Sequence, residues 1–275
     1  MSMASTLYRQ AMKLTIRQMT TFDIPLGMRL KTQAGWNQLP GDWQRLIEME
    51  PTGCFVAQLN EQDVGTLTTT VFGDIAWIAM MLVDENFRGQ GIGKALMNHA
   101  LAYLDHHKVR SVRLDATPQG QPLYEKLGFE AQFEIARYAG TPAAGEITPA
   151  HPVDLDKIIA LDQEVTCTQR ARLLRKLFNE FPSEVRTWEN GSYITARPGE
   201  TAVQIGPCIA DSSCGQQLLQ DALARHAGQL VFVDVPAVHT IANLSPQRSL
   251  MRMTRGKIIQ EDTSRLWASS GPEKG

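Results

Sequence analysis

A glycine-rich segment, Arg88-Gly-Gln-Gly-Ile-Gly-Lys94, has the residue types and spacing best suited to chemistry in this sequence. Its three glycines let the main chain approach a ligand closely, because no Cβ blocks the way and positive φ is tolerated. The residues that follow, 94–104, carry apolar side chains at helical spacing. The first turn of such a helix has free N–H groups and a dipole that favours an anion. The segment therefore predicts a site for phosphate or pyrophosphate.

An apolar strand has to hold this segment in place. Residues 75–83 read IAWIAMMLV, and such an unbroken apolar run is typical of a strand buried on both faces of a sheet. The polar residues 84–86 end it. A Gly-x-Gly pair without context more often serves only to reverse the chain. Here the strand before it and the amphipathic helix after it favour the binding site.

Two nucleotide-binding motifs do not fit this segment. A phosphate loop needs Gly-x-x-x-x-Gly-Lys followed by Ser or Thr, but Ala95 follows Lys94. A dinucleotide fingerprint needs Gly-x-Gly-x-x-Gly, whereas the glycines here fall as Gly-x-Gly-x-Gly. The predicted anion must therefore belong to another class of ligand.

A second motif, Leu123-Tyr-Glu-Lys-Leu-Gly-Phe129, follows the glycine-rich segment. The two motifs in this order resemble those of the GNAT superfamily of acyl-CoA-dependent N-acyltransferases. The resemblance covers residues 13–138 well and residues 146–257 weakly. It implies the α/β (α+β) class, with a mixed, mainly antiparallel sheet flanked by helices. It also implies acetyl-CoA as the co-substrate and no metal.

The resemblance implies which residues bind the cofactor. The edge of the strand around Leu82 would bond the pantetheine amides, and the N–H groups of the glycine-rich segment would hold the pyrophosphate. Thr117 and Gly120 stand where most GNAT domains have Asn and Ala, so a hydrogen-bonding oxygen and a small volume are kept while the side-chain contact differs. The predicted acyl-CoA site consists of Met81, Leu82, Val83, Arg88, Gly89, Gln90, Gly91, Ile92, Gly93, Lys94, Thr117 and Gly120.

Tyr124 stands where the superfamily commonly places a general acid. A phenol there could donate its proton to the thiolate that leaves when an amine attacks the thioester. The alternative is that Tyr124 only packs its helix against the sheet. No general base can be assigned, because residues 75–83, from which other members project a carboxylate, include no Asp or Glu.

Three further residues are expected to contact the acceptor. Trp36 and Asn37 lie between two predicted helices, in the segment that forms a wall of the acceptor pocket in GNAT proteins. Trp77 is expected to line a cleft between two domains. For any such tryptophan the alternative is simple burial in the core.

The length and a break in composition predict two domains. Residues 139–145 are small residues with one proline and read as a linker. We therefore expect a catalytic GNAT domain at residues 1–138, a linker at 139–146 and a second domain at 147–275.

The second domain is predicted to be a degenerate repeat of the first. Gly93–Leu101 aligns without a gap to Gly215–Leu223, and Val112–Asp115 matches Val231–Asp234. The alternative is a chance similarity of amphipathic helices. In the repeat, the segment 208–214 lacks the arginine and two of the three glycines, so we expect it to bind no CoA.

Composition limits the partners. A net charge of −2 gives no reason to expect nucleic acid or anionic lipid, and no apolar run is long enough to span a membrane. The start of the chain lacks the features of a signal peptide. The four cysteines show no metal-ligand spacing, which suggests reduced thiols in a cytoplasm. The oligomeric state stays open.

The expected reaction is direct transfer of an acetyl group from acetyl-CoA to a primary amine of a small molecule. Peptide or protein amines remain as acceptors to be considered. The rival of another class is a non-catalytic protein that senses acyl-CoA through the first domain and relays its presence through the second.

Overall fold

The computed structural model describes residues 13–148 and 151–273, which form seven α-helices and one twelve-stranded sheet. The helices are α1 Ile24–Gln33, α2 Pro40–Met49, α3 Ile92–His106, α4 Gln121–Glu125, α5 Leu155–Thr166, α6 Ala171–Glu180 and α7 Ser212–Arg225. The strands are β1 Leu14–Gln18, β2 Cys54–Leu59, β3 Gln62–Phe72, β4 Ile75–Val83, β5 Ser111–Ala116, β6 Glu130–Gly140, β7 Arg186–Thr187, β8 Tyr193–Arg197, β9 Val203–Ile209, β10 Val231–Pro236, β11 Ser245–Gly256 and β12 Leu266–Ala268.

The first half of the chain has the mixed, mainly antiparallel sheet that the sequence predicts. Strands β1 to β4 form an antiparallel meander, and β5 lies parallel to β4 after the crossover through α3. Helix α3 packs its apolar stripe, including Leu96, Ala100 and Leu104, on one face of this sheet. Helices α1 and α2 cover the other face around the fully buried Trp43. The sheet is therefore a two-sided scaffold for whatever binds at the ends of β4 and β5.

The two halves of the chain share one sheet. Strand β11, from the second half, lies between β5 and β6 and is antiparallel to both. Strand β6, from the first half, has β10 as its other neighbour. Consecutive strands of the first half are thus separated by a strand of the second, which the sequence did not indicate.

The structure places the first two residues of the predicted linker in a strand of the shared sheet. Strand β6 continues to Gly140, and its last two residues pair with Phe232 and Val231. Residues 139 and 140 therefore belong to a strand and not to a connection. The division of the chain into domains at residue 138 stays a prediction, while in space β6 lies among strands of the second half.

A buried arginine binds the exchanged strand to the first half. Arg252 on β11 donates two hydrogen bonds to the carboxylate of Asp115 on β5, at 2.8 and 2.9 Å, and also pairs with Glu261. Its guanidinium lies 4.6 Å from the ring centre of Trp77 and 5.3 Å from that of Phe133. Because Arg252 and Asp115 are opposite each other in the strand register, this pair fixes the position of β11.

None of the helices described, in residues 13–148 and 151–273, is long and apolar enough to cross a membrane.

We predict that the first half does not fold without the second. A chain ended after Gly140 loses β10 and β11, the two strands that pair with β6, and it loses the arginine that neutralises buried Asp115. An unpaired buried carboxylate alone costs about 3–5 kcal/mol. The truncated chain should lack a cooperative thermal transition, whereas the full chain should show one by circular dichroism.

The matched control cuts the chain without removing a strand. A protease site placed in the mostly exposed segment 141–147 should yield two fragments that stay together on gel filtration and keep the cooperative transition. A monomeric fragment 1–140 with a sharp transition of its own would contradict the shared sheet.

Candidate active site

A cavity of about 1120 Å³ opens where β4 and β5 diverge. The two strands pair only at Ile75–Trp77 with Ser111–Arg113. Beyond this point the two strands no longer pair. The cavity is lined there by residues 78–83 of β4 and by Leu114 and Asp115 of β5. In the described part of the chain this edge of β4 has no strand partner there, so its main-chain groups are available to a ligand that contains amides.

The glycine-rich segment brings the start of α3 to the same cavity. Gly91 precedes the first helical residue with φ +81°, and Gly89 has φ +76°. A Cβ built on either residue meets no atom within 4 Å, so the space before the helix is open. Exposed Arg88 and Lys94 line the same end of the cavity and add positive charge. This end suits an anion, as the sequence predicts.

The structure brings the predicted cofactor residues together. Of the residues predicted to bind acyl-CoA, all except Gln90 line the cavity. Gln90 is exposed between Gly89 and Gly91. Thr117 and Gly120 stand in the turn before α4, where the N–H of Gly120 donates to the hydroxyl of Thr117 at 3.2 Å.

Tyr124 on α4 lies in the cavity wall with 8% of its surface exposed. Burial raises the pKa of its phenol to about 12, so the hydroxyl keeps its proton at neutral pH. The ring packs against Phe129 at 6.0 Å between centres. A Cβ on Gly120 would come within 3.0 Å of the ring, so the small residue at this position also makes room for Tyr124. The side chain can donate a proton or a hydrogen bond.

A β-bulge lies in β4 at the cavity. Met80 has φ +48°, and the register with β3 shifts between the pairs Thr66–Leu82 and Thr68–Ala79. The hydroxyl of Thr66 donates to the Met80 carbonyl at 2.9 Å and supports this conformation. Bulges redirect main-chain groups, and strained residues that are not glycine concentrate at functional sites. No feature of an apolar run indicates a residue with positive φ, so this bulge could not be predicted from the sequence.

The second half of the chain completes the cavity. Half-buried Trp36 and buried Gln38, from the segment between α1 and α2, line one side. Arg248 from β11 lines it with them, as do Pro272 and Glu273 from the tail after β12. This side lies on the face of the sheet that α1 and α2 cover, opposite the face that α3 covers.

Two acidic residues in the cavity wall are not among the site residues predicted from the sequence, and their side chains are only 1% and 2% exposed. Asp115 is held by Arg252, and burial raises the pKa of its carboxyl. Glu273 forms an ion pair with Arg197 and accepts a hydrogen bond from the amide of Gln38 at 3.1 Å. Asp115 could have been proposed from the sequence, because it is an acidic residue near the end of the strand that follows the apolar β4. No comparable pattern in the sequence points to Glu273.

The structure gives Asn37 a different task from the predicted acceptor contact. Its side-chain amide donates to the carbonyl of Ala202 at 2.9 Å and accepts from the N–H groups of Thr201 and Ala202. Gly199 has to lack a side chain there, because a Cβ would lie 2.1 Å from the Asn37 nitrogen. These bonds attach a turn of the second half to the first, and we therefore leave Asn37 out of the acceptor site.

Trp77 is also placed away from the cavity. Only 2% of it is exposed, and Arg252 stacks on its ring. Its indole N–H donates to the carbonyl of Pro272 at 3.4 Å. Trp77 thus supports the wall that Pro272 forms, but its side chain does not line the cavity.

The start of α7 in the second half differs from the start of α3. Asp211 precedes α7, and its carboxylate pairs with Arg265 at 2.9 Å. Trp267 lies across the first turn, where its indole N–H donates to the carbonyl of Ala210 at 3.2 Å. A Cβ on Gly215 would come within 2.0 Å of this indole. A side chain occupies the space that lies open before α3.

Comparisons with known proteins agree with this geometry. Two family models, each described as Acetyltransferase (GNAT) domain, match residues 50–131 and 158–268. The holothin acyltransferase of Pseudoalteromonas sp. (strain SANK 73390) is 24% identical over 259 residues, which are 87% of each chain. The uncharacterized N-acetyltransferase YitH of Bacillus subtilis (strain 168) is 24% identical over 225 residues, 78% of this chain and 79% of that protein.

A solved structure has the same fold over the whole chain. It is a putative acetyltransferase from Pyrococcus horikoshii, with a TM-score of 0.83 at 24% identity and 99% of each chain covered. The two family models together match well over half of the chain, one in each half. The chain therefore belongs to the GNAT superfamily, as a tandem acyl-CoA-dependent N-acyltransferase.

Proposed function

We propose that the chain transfers an acetyl group directly from acetyl-CoA to the primary amine of a small molecule. The observation that carries this proposal is a single cavity shared by four features. These are the glycine-rich start of α3, the unpaired edge of β4, the phenol of Tyr124 and a wall contributed by the second half. Its volume of about 1120 Å³ is slightly above the range of about 300–1,000 Å³ that is usual for ligand pockets, so an extended cofactor and a small acceptor can share it.

In this proposal the cofactor lies along β4. The N–H groups of residues 89–94 hold the pyrophosphate, with Arg88 and Lys94 nearby. The unpaired edge at residues 81–83 bonds the pantetheine amides, as an added strand would. The thioester then lies where β4 and β5 separate, beside the bulge at Met80.

The chemistry follows from the groups around that point. The amine attacks the thioester carbonyl, a tetrahedral oxyanion forms, and the carbon–sulfur bond breaks as the amide is made. The bulge at Met80 offers main-chain N–H groups to the oxyanion. Tyr124 donates to the departing sulfur as negative charge develops there. Asp115 and Glu273 are the acidic residues of the described wall, but both carboxylates are buried in arginine pairs, so neither is assigned as the base that takes the proton the amine loses.

The nature of the acceptor wall favours a small molecule. Side chains of Trp36, Leu250 and Pro272 come from three separate segments and surround this side with apolar surface. A relative named for acyl transfer to holothin is in keeping with such an acceptor. A sensor needs no hydrogen-bond donor beside the thioester, so the phenol of Tyr124 in the cavity wall favours catalysis over that alternative. Release of free thiol from acetyl-CoA with a panel of amines tests the proposal, and binding without release for every amine would contradict it.

We expect Gly91→Val to weaken acetyl-CoA binding at least tenfold, which is about 1.4 kcal/mol. The substitution strains a residue with φ +81° and puts a branched side chain into the space proposed for the pyrophosphate. Calorimetry measures the dissociation constant. Gly228→Val is the matched control, because Gly228 has φ +78° and open space but lies outside the cavity. An equal loss of affinity in both variants would assign the effect to strain.

We expect Tyr124→Phe to lower kcat by roughly 10²-fold, with the acetyl-CoA dissociation constant nearly unchanged. Phenylalanine keeps the packing against Phe129 and removes only the donor. Because the pKa of Tyr124 is about 12, its ionisation should not lower kcat of the wild type below about pH 10. Steady-state kinetics across pH measure both effects, and wild-type kcat in the variant would reduce Tyr124 to a packing residue.

We expect one acetyl-CoA per chain. The start of α7 holds Trp267 and the Asp211–Arg265 pair where the start of α3 has open space. Calorimetric titration should give one equivalent for the wild type and no tight site for Gly91→Val. A second equivalent that persists in Gly91→Val would place a cofactor site in the second half.

A further inference from the structure

Arg248 is a cation in the cavity wall that has no acidic partner among the described residues. It lies on β11 two residues before Leu250, and both residues line the proposed acceptor side of the cavity. Its Nε is buried and has no hydrogen-bond partner. Within residues 13–148 and 151–273 its guanidinium forms no ion pair.

Arg248 as a whole is half-buried, whereas the arginines around it are buried and all paired. Arg137, its neighbour in the strand register, donates two hydrogen bonds of 2.7 Å to Asp234. Arg252, on the same strand, pairs with Asp115 and Glu261, and Arg197 pairs with Glu273. Asp234 and Glu273 act on Arg248 only through space, since each is already bonded to another arginine. Among the residues that the structure describes, each neighbouring arginine thus has an acidic partner and Arg248 has none.

Holding an unpaired cation in this position costs free energy unless a ligand of opposite charge binds it. Burial, and then the charge of Arg137, lowers the pKa of Arg248 to about 10, so the group still carries its charge at neutral pH. Buried charges in folded proteins are usually paired. The guanidinium fork matches the two oxygens of a carboxylate or a phosphoryl group. A ligand anion at this site would remove the cost.

The position of Arg248 assigns that anion to the acceptor. The proposed pyrophosphate site is at the start of α3, on one face of the sheet. Arg248 lines the cavity with Trp36, Pro272 and Glu273, which are on the proposed acceptor side. The thioester of the proposed complex lies between the two. The cofactor phosphates are therefore bound at the start of α3 and are not the anion that Arg248 binds.

The local charge balance favours a carboxylate over a phosphoryl group. Arg248 is one uncompensated positive charge, and a carboxylate is one negative charge. Asp115 and Glu273 belong to the same wall, but each carboxylate is already paired, with Arg252 and Arg197 respectively. One bound carboxylate therefore balances the charge of Arg248, whereas a dianion would leave an excess negative charge. A ligand that presents a single carboxylate matches this wall.

We propose that the acceptor amine also bears a carboxylate, as an amino acid does, and that Arg248 binds it. This inference rests on the proposed function. It makes Arg248 a specificity-determining residue that touches the acceptor and not the reacting atoms.

Matched acceptor pairs test the proposal on the full chain. Each of several amino acids, with the amine at the α or a more distant carbon, is compared with its primary amide at saturating acetyl-CoA. The wild type should prefer the acid at least tenfold in kcat/KM for the pair containing its best acceptor. Arg248→Met should abolish this preference through KM, with kcat/KM for the amide and the acetyl-CoA dissociation constant changed less than about threefold. Arg248→Lys should restore part of the preference.

Arg255→Met is the control on the same strand. Arg255 pairs with Asp105 away from the cavity, so the preference should stay as in the wild type. Equal use of acids and amides by the wild type would overturn the proposal. An Arg248→Met variant that changes the choice between acetyl-CoA and succinyl-CoA but keeps the acceptor preference would also overturn it.

A binding measurement separates this inference from the proposed function. N-acetylated amino acids and their amides, as product analogues, are compared by thermal shift with CoA present. The wild type should be stabilised by the acids and Arg248→Met should not. Absence of thiol release with stabilisation by the acids would refute the proposed turnover alone. Thiol release without any preference for acids would refute the role of Arg248 alone.

Discussion

The buried ion pair between Arg252 and Asp115 is the interaction on which the arrangement of the two halves depends. Each group is 1% exposed, so each would be costly to bury without the other. The pair lies at the junction of β11 with β5, and the aromatic rings of Trp77 and Phe133 exclude water from the guanidinium. A shift of β11 by one residue would move Arg252 to the opposite face of the sheet and leave both charges unpaired. The register of the exchanged strand is thereby fixed, and with it the position of Arg248, four residues away.

This coupling explains why a second half that has lost an open helix start is still a necessary part of the molecule. In the proposed reaction the first half supplies the cofactor site and the phenol that hydrogen-bonds the leaving sulfur. The second half supplies β11 and the tail, which carry Leu250, Pro272 and Glu273 into the cavity. Trp267 and Arg265 occupy the region that in the first half is open to a ligand. In this proposal the same architecture has two tasks, binding of the acyl donor in one half and enclosure of the acceptor in the other.

The sequence was informative where a local pattern determines the structure. The apolar run at residues 75–83 and the glycines before α3 predicted a strand, turn and helix that the structure confirms. Strand exchange could not be predicted, because the period-2 pattern of β6 or β11 reports that a strand is buried but not which strand lies beside it. Asn37 and Trp77 were assigned to the acceptor from their place in the chain. Their side chains instead meet Ala202 and Arg252, groups far away in sequence. Arg248 had no local signal either, since its significance lies in having no acidic partner in the described part of the chain.

The pKa of Tyr124 also restricts how it can act in the proposed reaction. An ordinary thiol has a pKa of about 8.5, whereas burial raises that of the phenol to about 12. Complete proton transfer from Tyr124 to a free thiolate is thus uphill by roughly 3–4 pKa units, or about 5 kcal/mol. A hydrogen bond from the phenol to the sulfur, strengthening as the carbon–sulfur bond breaks, carries no such penalty. Hydrogen bonds to charged groups contribute about 1.5–3 kcal/mol, or roughly 10- to 150-fold in rate. The proton that finally neutralises the thiolate then comes from the attacking amine by way of the cavity, and the phenol remains protonated for the next turnover.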